Sequence, residues 1–236
     1  MKLLAVDTSG KVAGVALMED GALVCEANLA SGLTHSEKLM PLADASMKFA
    51  GWQPRDIDVF AAVAGPGSFT GVRIGVSAVK GMAEAYGRPV VPVNTLEALA
   101  ASFPGFSGLV APLLDARRAQ VYCALYDGDL NEIAKPAARA LHDLLSEPAV
   151  LEAARVMFTG DGALAYHDEI TAALGGKAMF APAHLMLQRA GAAAALAWRK
   201  FSSGESMDAA ALLPEYLRKS SAEQVRERNA GAEARP

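Results

Sequence analysis

Residues 58–86 read DVFAAVAGPGSFTGVRIGVSAVKGMAEAY. Asp58 to Ala64 is an apolar, β-prone run, Gly65-Pro66-Gly67 is a turn, and from about Thr70 to Tyr86 the apolar residues recur at helical spacing until Gly87-Arg88-Pro89 ends the helix. This is a strand, a tight turn and a helix. Upstream, KLLAVDTS (2–9), VAGVALMED (12–20) and ALVCEANLA (22–30) predict three more strands, with a hairpin turn at Asp20-Gly21. Between them and Asp58, Thr34-His35-Ser36-Glu37 has the form of a capping box. It predicts a helix ended by Gly51, with Thr34 as N-cap and a kink at Pro41. Downstream, VVPVN (90–94) is a further strand, and Thr95 is expected to cap the short helix LEALAAS (96–102). The order β-β-β-α-β-α-β-α specifies α/β architecture, a mixed sheet with helices packed against it.

The second half begins after FPGFSG (103–108), the strongest linker signal in the chain. LVAPLLDARRAQVYCALYDGDL (109–130) predicts a hairpin turning at Asp115 to Arg118. A helix is expected near Arg139–Leu145, a strand near Arg155–Thr159 and an Ala-rich helix over His184–Phe201, with a charged, frayed tail from 222 onward. No internal repeat of solenoid period appears.

The 236 residues are 52% hydrophobic and 20% charged, which excludes a disordered chain and supplies enough core to need no disulfide or metal. With 22 Lys+Arg against 26 Asp+Glu, the net charge of −4 argues against a stand-alone nucleic-acid binder. It leaves room for a subunit whose partner carries the basic face. Cys25 and Cys123 lie far apart in apolar runs and are expected to be buried thiols. Met1-Lys2 leads directly into LLAVDTSG, without a signal-peptide pattern, and AGAAAALAW (190–198) is too short to span a bilayer. The expected location is cytoplasmic, with no membrane association.

Asp7-Thr8-Ser9-Gly10 sits where a strand enters a hairpin. There, Asp7 could hold a metal-bound water, and the hydroxyls and amides of Thr8 and Ser9 could face phosphate oxygens. The competing reading is that all three satisfy a tight turn. Gly65, Gly67 and Ser68 belong to a strand-to-helix loop whose amides could cradle an anion or nucleotide. Its spacing fits neither the dinucleotide fingerprint nor a P-loop. Gly71, Gly75, Ala78 and Gly81 form a small-residue stripe, which reads equally as a close-packing device. His35 is followed four residues on by Leu39, so a helical metal pair is incomplete and no metal is expected. Ser9, Ser36 and Ser68 have no identifiable base, and no catalytic residue is assigned. Asp115 and Arg117 at the hairpin tip could lock the turn, and Arg117 and Arg118 could meet an anion.

VDTS, THSE, AGPGSFTGVRIG, LEALA, the D-A-R hairpin and PEYLR occur together, in this order, to about residue 219. In that combination the chain resembles the TsaB (YeaZ) family of bacterial tRNA threonylcarbamoyladenosine biosynthesis. The resemblance implies an actin/hexokinase-like (ASKHA) fold of two lobes. One lobe would span 1–104, completed by a C-terminal helix over 212–236, and the other 105–211. It also implies a non-catalytic scaffold that partners the TsaD-type enzyme subunit and a TsaE-type ATPase. Such a scaffold would meet tRNA only through the complex, hold no cofactor tightly, and use ATP or ADP only in the assembly. In the enzyme subunit the corresponding helix carries H-x-x-x-H metal ligands; this chain has His35 but Leu39. The alternatives are a nucleotide-hydrolysing enzyme built on Asp7 and the Gly65–Gly71 loop, or a glycoprotease-like peptidase acting on its partner. The isolated chain could be a monomer or a homodimer.

At about 100° per residue, the apolar positions of the helix after Thr34 run from Ala45 round to Met40, more than half the circumference. A helix on one sheet needs a stripe of only about 100°. The excess implies burial on two sides, against either the chain's own elements or a partner. Met40, Ala43 and Met47, beside Arg73 and Lys80 of the next helix, are the expected partner surface.

Overall fold

The computed structural model describes residues 1–32, 34–117 and 119–218. The elements, in chain order, are β1 (Lys2–Asp7), β2 (Ala13–Glu19), β3 (Ala22–Leu29), α1 (His35–Phe49), β4 (Val59–Gly65), α2 (Phe69–Tyr86), β5 (Val90–Asn94) and α3 (Thr95–Ala100). There follow β6 (Leu109–Asp115), β7 (Gln120–Tyr126), β8 (Glu132–Ala140), α4 (Leu141–Leu145), α5 (Pro148–Glu152), β9 (Val156–Thr159), α6 (Asp161–Ala165), α7 (His167–Leu174), β10 (Ala178–Phe180) and α8 (Ala190–Ser202).

Two five-stranded sheets result, ordered β3-β2-β1-β4-β5 and β8-β7-β6-β9-β10. They have the same wiring. In each, the first strand pairs antiparallel with the second and parallel with the fourth, the second pairs antiparallel with the third, and the fourth pairs parallel with the fifth. The chain is therefore a structural duplication, with one mixed sheet per lobe and helices against each.

β1 and β4 read as continuous apolar runs because both faces of their sheet are covered. Leu4, Val6, Phe60, Ala62 and Ala64 pack under α1 and α2 with Leu39, Ala43, Met47, Val72, Val76 and Val79. The alternate residues Leu3, Ala5, Val59, Ala61 and Val63 pack on the other face against Ala190, Ala193, Ala194 and Ala197 of α8. Alanine on that face lets the helix lie close to the strands; a Cβ on Gly14 of β2 would stand 2.9 Å from the Ala190 methyl. The second lobe has one core, centred on Val110, Leu113, Cys123, Leu125, Leu144, Phe158 and Ile170.

Several expectations are corrected. α8 falls within the stretch 105–211 assigned to the second lobe, yet it covers the first sheet. No helix occupies 212–218: this segment is an extended strap in which Glu215 N donates to Ala64 O at 2.7 Å, after Val90 and Met207 exchange backbone bonds at 2.9 Å. Pro214 opposes a helix there by restricting Leu213 to extended conformations; residues 219–236 lie outside the described residues. α8 starts at Ala190, not His184, because its first amides are capped from another strand. Ala190 N donates to Asn28 Oδ1 and Gly191 N to Glu26 Oε1, both at 3.0 Å, while Arg189 forks onto Glu26 at 2.8 and 3.1 Å. Arg139 lies in β8, an edge strand that escaped the sequence reading because Pro136 sits inside it, which only an edge tolerates. Thr34 occupies the N-cap of α1 without a side-chain cap bond, and α1 runs continuously through Pro41. Asn94, not Thr95, caps α3, accepting from the amides of Leu96 and Glu97. The Asp20-Gly21 turn is present, with φ of 48° and 84°.

The Glu26 cluster joins β3 to a helix more than 160 residues later, and its bonds from Arg189 and Gly191 hold the Glu26 carboxyl below the usual carboxylate range despite partial burial. Glu26→Ala should cost about 2 kcal/mol, combining a lost cap and a broken, partly buried ion pair. Because the folded pKa is depressed, the contribution of Glu26 is complete above the ordinary carboxylate range and is lost as pH falls through the folded pKa. Denaturant titrations of wild type and Glu26→Ala should therefore differ most near pH 7 and converge in acid.

Candidate functional site

The two loops flagged in the sequence meet at the carboxyl ends of β1 and β4. Asp7 is 1% exposed. Its Oδ1 accepts from Ser9 N at 2.8 Å and Ser9 Oγ at 2.7 Å, and its Oδ2 has no partner among the described residues. Burial pushes the Asp7 carboxyl above its ordinary pKa, against the opposing pull of the Ser9 bonds and of His35 nearby. Thr8 Oγ1 donates to Gly71 O at 2.7 Å and Ser68 N donates to Ser9 O at 2.7 Å. Ser68 Oγ accepts from Gly71 N at 3.2 Å and so caps α2. The glycine stripe allows this approach: a Cβ on Gly67 would collide with Ser9 O, one on Gly71 with Thr8 O, and one on Gly75 with Thr8 Oγ1.

Several of the groups that could have faced a phosphate are thus engaged within the chain. The Asp7, Thr8 and Ser9 side chains are buried and Gly65 is buried beneath the strap carbonyl of Glu215, while Ser68 is exposed and its Oγ accepts as a cap. Of the two readings of each loop, the tight turn and the packing device describe the geometry. His35 Nε2 lies 2.8 Å from Gly10 O, and Leu39 points into the core. Among the described residues no group of three or more His, Cys, Asp or Glu could hold a metal.

The second lobe repeats the turn. Asp115 ends β6 as Asp7 ends β1, and its Oδ1 accepts from Arg117 N at 2.8 Å, the same two-residue spacing as in Asp7 and Ser9. The lock is to the Arg117 amide, not to its side chain; Arg118 lies outside the described residues. Asp115 N donates to Asp161 Oδ1 at 3.2 Å, and Lys11 of the β1–β2 loop reaches Asp161 at 3.7 Å, so the two loop systems face each other across the lobes. Gln188 is buried, packs on Gly10, and has no side-chain partner among the described residues. Sequence reasoning missed it; a polar residue in the connection before α8 carries no local signal.

The α1–α2 surface differs from the expectation. Met40 is 46% exposed, but Met47 is 4% exposed and Ala43 is fully buried. The second side of α1 is covered by α2 of the same chain, through Val72, Val76 and Val79, which accounts for the wide apolar arc. Arg73 donates to Tyr216 Oη at 2.9 Å and lies 4.0 Å from the Phe69 ring centroid, while Phe69 stacks on Tyr216 at 4.7 Å. Lys80 donates to Ala210 O at 2.7 Å. Arg73 thus binds the strap to α2, and Lys80 binds the turn just before it. Phe49, the last residue of α1, is 88% exposed.

A family model described as TsaD, tRNA N6-adenosine threonylcarbamoyltransferase, matches residues 30–225. A Bacillus subtilis protein named tRNA threonylcarbamoyladenosine biosynthesis protein TsaB is 34% identical over 226 residues, covering 94% of this chain and 96% of that one. The chain belongs to the TsaB family. The Escherichia coli TsaB is 35% identical over 135 residues, 56% of this chain and 58% of its own. The solved structure of YeaZ from Pseudomonas aeruginosa superimposes with a TM-score of 0.78 at 29% identity, over 92% of this chain and 99% of that one. Component A of an Acidaminococcus fermentans (R)-2-hydroxyglutaryl-CoA dehydratase, at TM-score 0.52 and 12% identity, shares the fold alone, covering 86% of this chain and 99% of that one. The fold is actin/hexokinase-like, with two lobes.

The buried Asp7 makes a testable prediction. Its folded pKa is raised, so the ionised form is disfavoured in the native state, and this penalty fades as pH falls through the folded pKa. Asn at this position keeps an acceptor for both Ser9 bonds. Asp7→Asn should be at least as stable as wild type at pH 8, with the difference shrinking toward pH 4, measured by thermal melts across that range.

Proposed function

We propose that the chain is a non-catalytic partner subunit in tRNA threonylcarbamoyladenosine formation. In this reading it acts in the cytoplasm beside a TsaD-type enzyme and a TsaE-type ATPase, and adds threonylcarbamoyl to the adenosine next to the anticodon only as part of that assembly. Membership in the TsaB family, and the names of its relatives, support the pathway. The observation that carries the non-catalytic role is the burial of Asp7, Thr8 and Ser9, whose side chains turn inward: Ser9 donates to Asp7 within its own loop, and Thr8 Oγ1 donates across to Gly71 O. ATP or ADP would then bind in the assembled complex, and tRNA would be met through the basic surface of a partner.

The peptidase alternative is less well supported. Ser9 Oγ is buried on Asp7, Ser68 Oγ accepts the amide of Gly71, and among the described residues neither is hydrogen-bonded to a histidine.

The docking surface of this proposal is the outer side of α1, narrowed from the sequence expectation to the exposed Met40 and Pro41, with the Asp44–Lys48 pair at 2.7 Å between them. Methionine adapts to varied contacts, and a carboxylate buried there without a mate costs several kcal/mol of association.

The test is Met40→Asp, compared with wild type by thermal melt and by size-exclusion chromatography with the TsaD-type subunit. A wild-type melt with association weakened at least tenfold is expected; an undisturbed complex moves the partner to another face. ATP turnover by the isolated chain at roughly 1–100 per second would overturn the non-catalytic assignment.

A further inference from the structure

Away from the loop seam, the lobes enclose an open recess of about 530 Å³, whose polar lining is Asn94, Glu97, Tyr126, Glu132, Lys135 and Glu215. Its volume is in the range of small-molecule sites. Asn94 and Glu97 come from the first lobe and Glu215 from the strap, while Tyr126, Glu132 and Lys135 come from β7 and β8 of the second.

The recess keeps surplus negative charge. Glu97 is neutralised by Lys200 at 2.6 Å. Glu215 receives only Asn94 Nδ2 at 3.3 Å. Glu132 forms no ion pair among the described residues, and Lys135 stands at the recess without reaching any carboxylate at ion-pair distance. Acidic residues alone would mean little. Tyr126 adds an independent observation: it is 3% exposed, it lines the recess, and its hydroxyl forms no hydrogen bond among the described residues. Burial, with the charges of Glu97, Glu132 and Glu215, raises its pKa well above the ordinary tyrosine value, so it stays a neutral O–H. The hydroxyl is not among the sealed, unpartnered atoms of the interior, so its open partner position is the recess itself.

We propose that this recess binds a primary alkylammonium group. Three N–H donors match the carboxylates of Glu132 and Glu215 and the Tyr126 oxygen, and the aliphatic stem would lie along Leu130, Pro136 and Leu217. Free polyamines and the lysine side chain of a docked polypeptide share this chemistry. An occupant would touch both lobes and the strap, and would therefore tie their relative position to its presence. The inference is independent of the TsaB-type role.

Calorimetric titration of the full chain at low salt tests it with three probes: 1,5-diaminopentane, a blocked pentapeptide with one central lysine, and 1-pentanol. The expected result is saturable one-to-one binding of the diamine or the peptide but not of pentanol, and which of the two binds identifies the source. The double variant Glu132→Gln/Glu215→Gln should weaken binding at least tenfold and Tyr126→Phe about threefold, with melts near wild type. Lys135→Gln, which removes a like charge on an exposed strand, should tighten it. No binding of either amine at millimolar concentration, equal binding of pentanol, or affinities unmoved by the Glu132/Glu215 and Lys135 changes would overturn the assignment.

Discussion

Two hydrogen bonds hold the first lobe's functional end together: Ser68 N to Ser9 O, and Thr8 Oγ1 to Gly71 O, each 2.7 Å long. They require the β1–β2 loop and the start of α2 to touch backbone to backbone, which only glycine permits at positions 67, 71 and 75. Once that seam is closed, α2 lies along β4, α1 is caught between α2 and the sheet, and the C-terminal strap has an end of β4 and a face of α2 to bind. Arg73, Phe69 and Tyr216 then clamp the strap in place. The same contacts engage the Thr8 hydroxyl and the Ser68 amide within the chain.

The duplication clarifies why this is a property of one lobe's chemistry and not of the fold. Both lobes end their first strand in an aspartate that accepts the amide two residues on, and both place glycine after the fourth strand against the first, Gly160 and Gly162 packing on Leu113. In the first lobe the aspartate is sealed; in the second, Asp115 is exposed and tied to Asp161, which also meets Lys11. One architecture thus supplies a closed seam on one side and an open loop on the other.

Much of this was legible in the sequence. Apolar runs and turn residues located the strands of both sheets except β8 and the short β10, and the glycine loop with its following helix defined the α/β unit. The misreadings have a common origin in long-range contacts. A helical wheel measures how much of α1 is buried but not what buries it, so Met47 and Ala43 were assigned to a partner when α2 covers them. α8 begins where Glu26 and Asn28 of β3 reach its amides, and nothing near Ala190 announces that. The strap at 212–218 is extended where Ala64 offers Glu215 a backbone partner, a fact held in a residue far away in the chain. The two loops named separately in the sequence meet in the structure, but whether their side chains pointed outward or into the chain depended on the approach of the two loops.

A seam around Asp7 that serves the fold and not the chemistry tolerates loss of the Asp7 charge. The direct measurement is threonylcarbamoylation of tRNA by an assembly reconstituted from this chain, the TsaD-type enzyme and the TsaE-type ATPase, with Asp7→Asn in place of the wild-type chain. Unchanged modification rate with the variant, and loss of modification when the chain is omitted, is the predicted result. A rate reduced a hundredfold or more by Asp7→Asn, in a variant that folds and assembles normally, would contradict it.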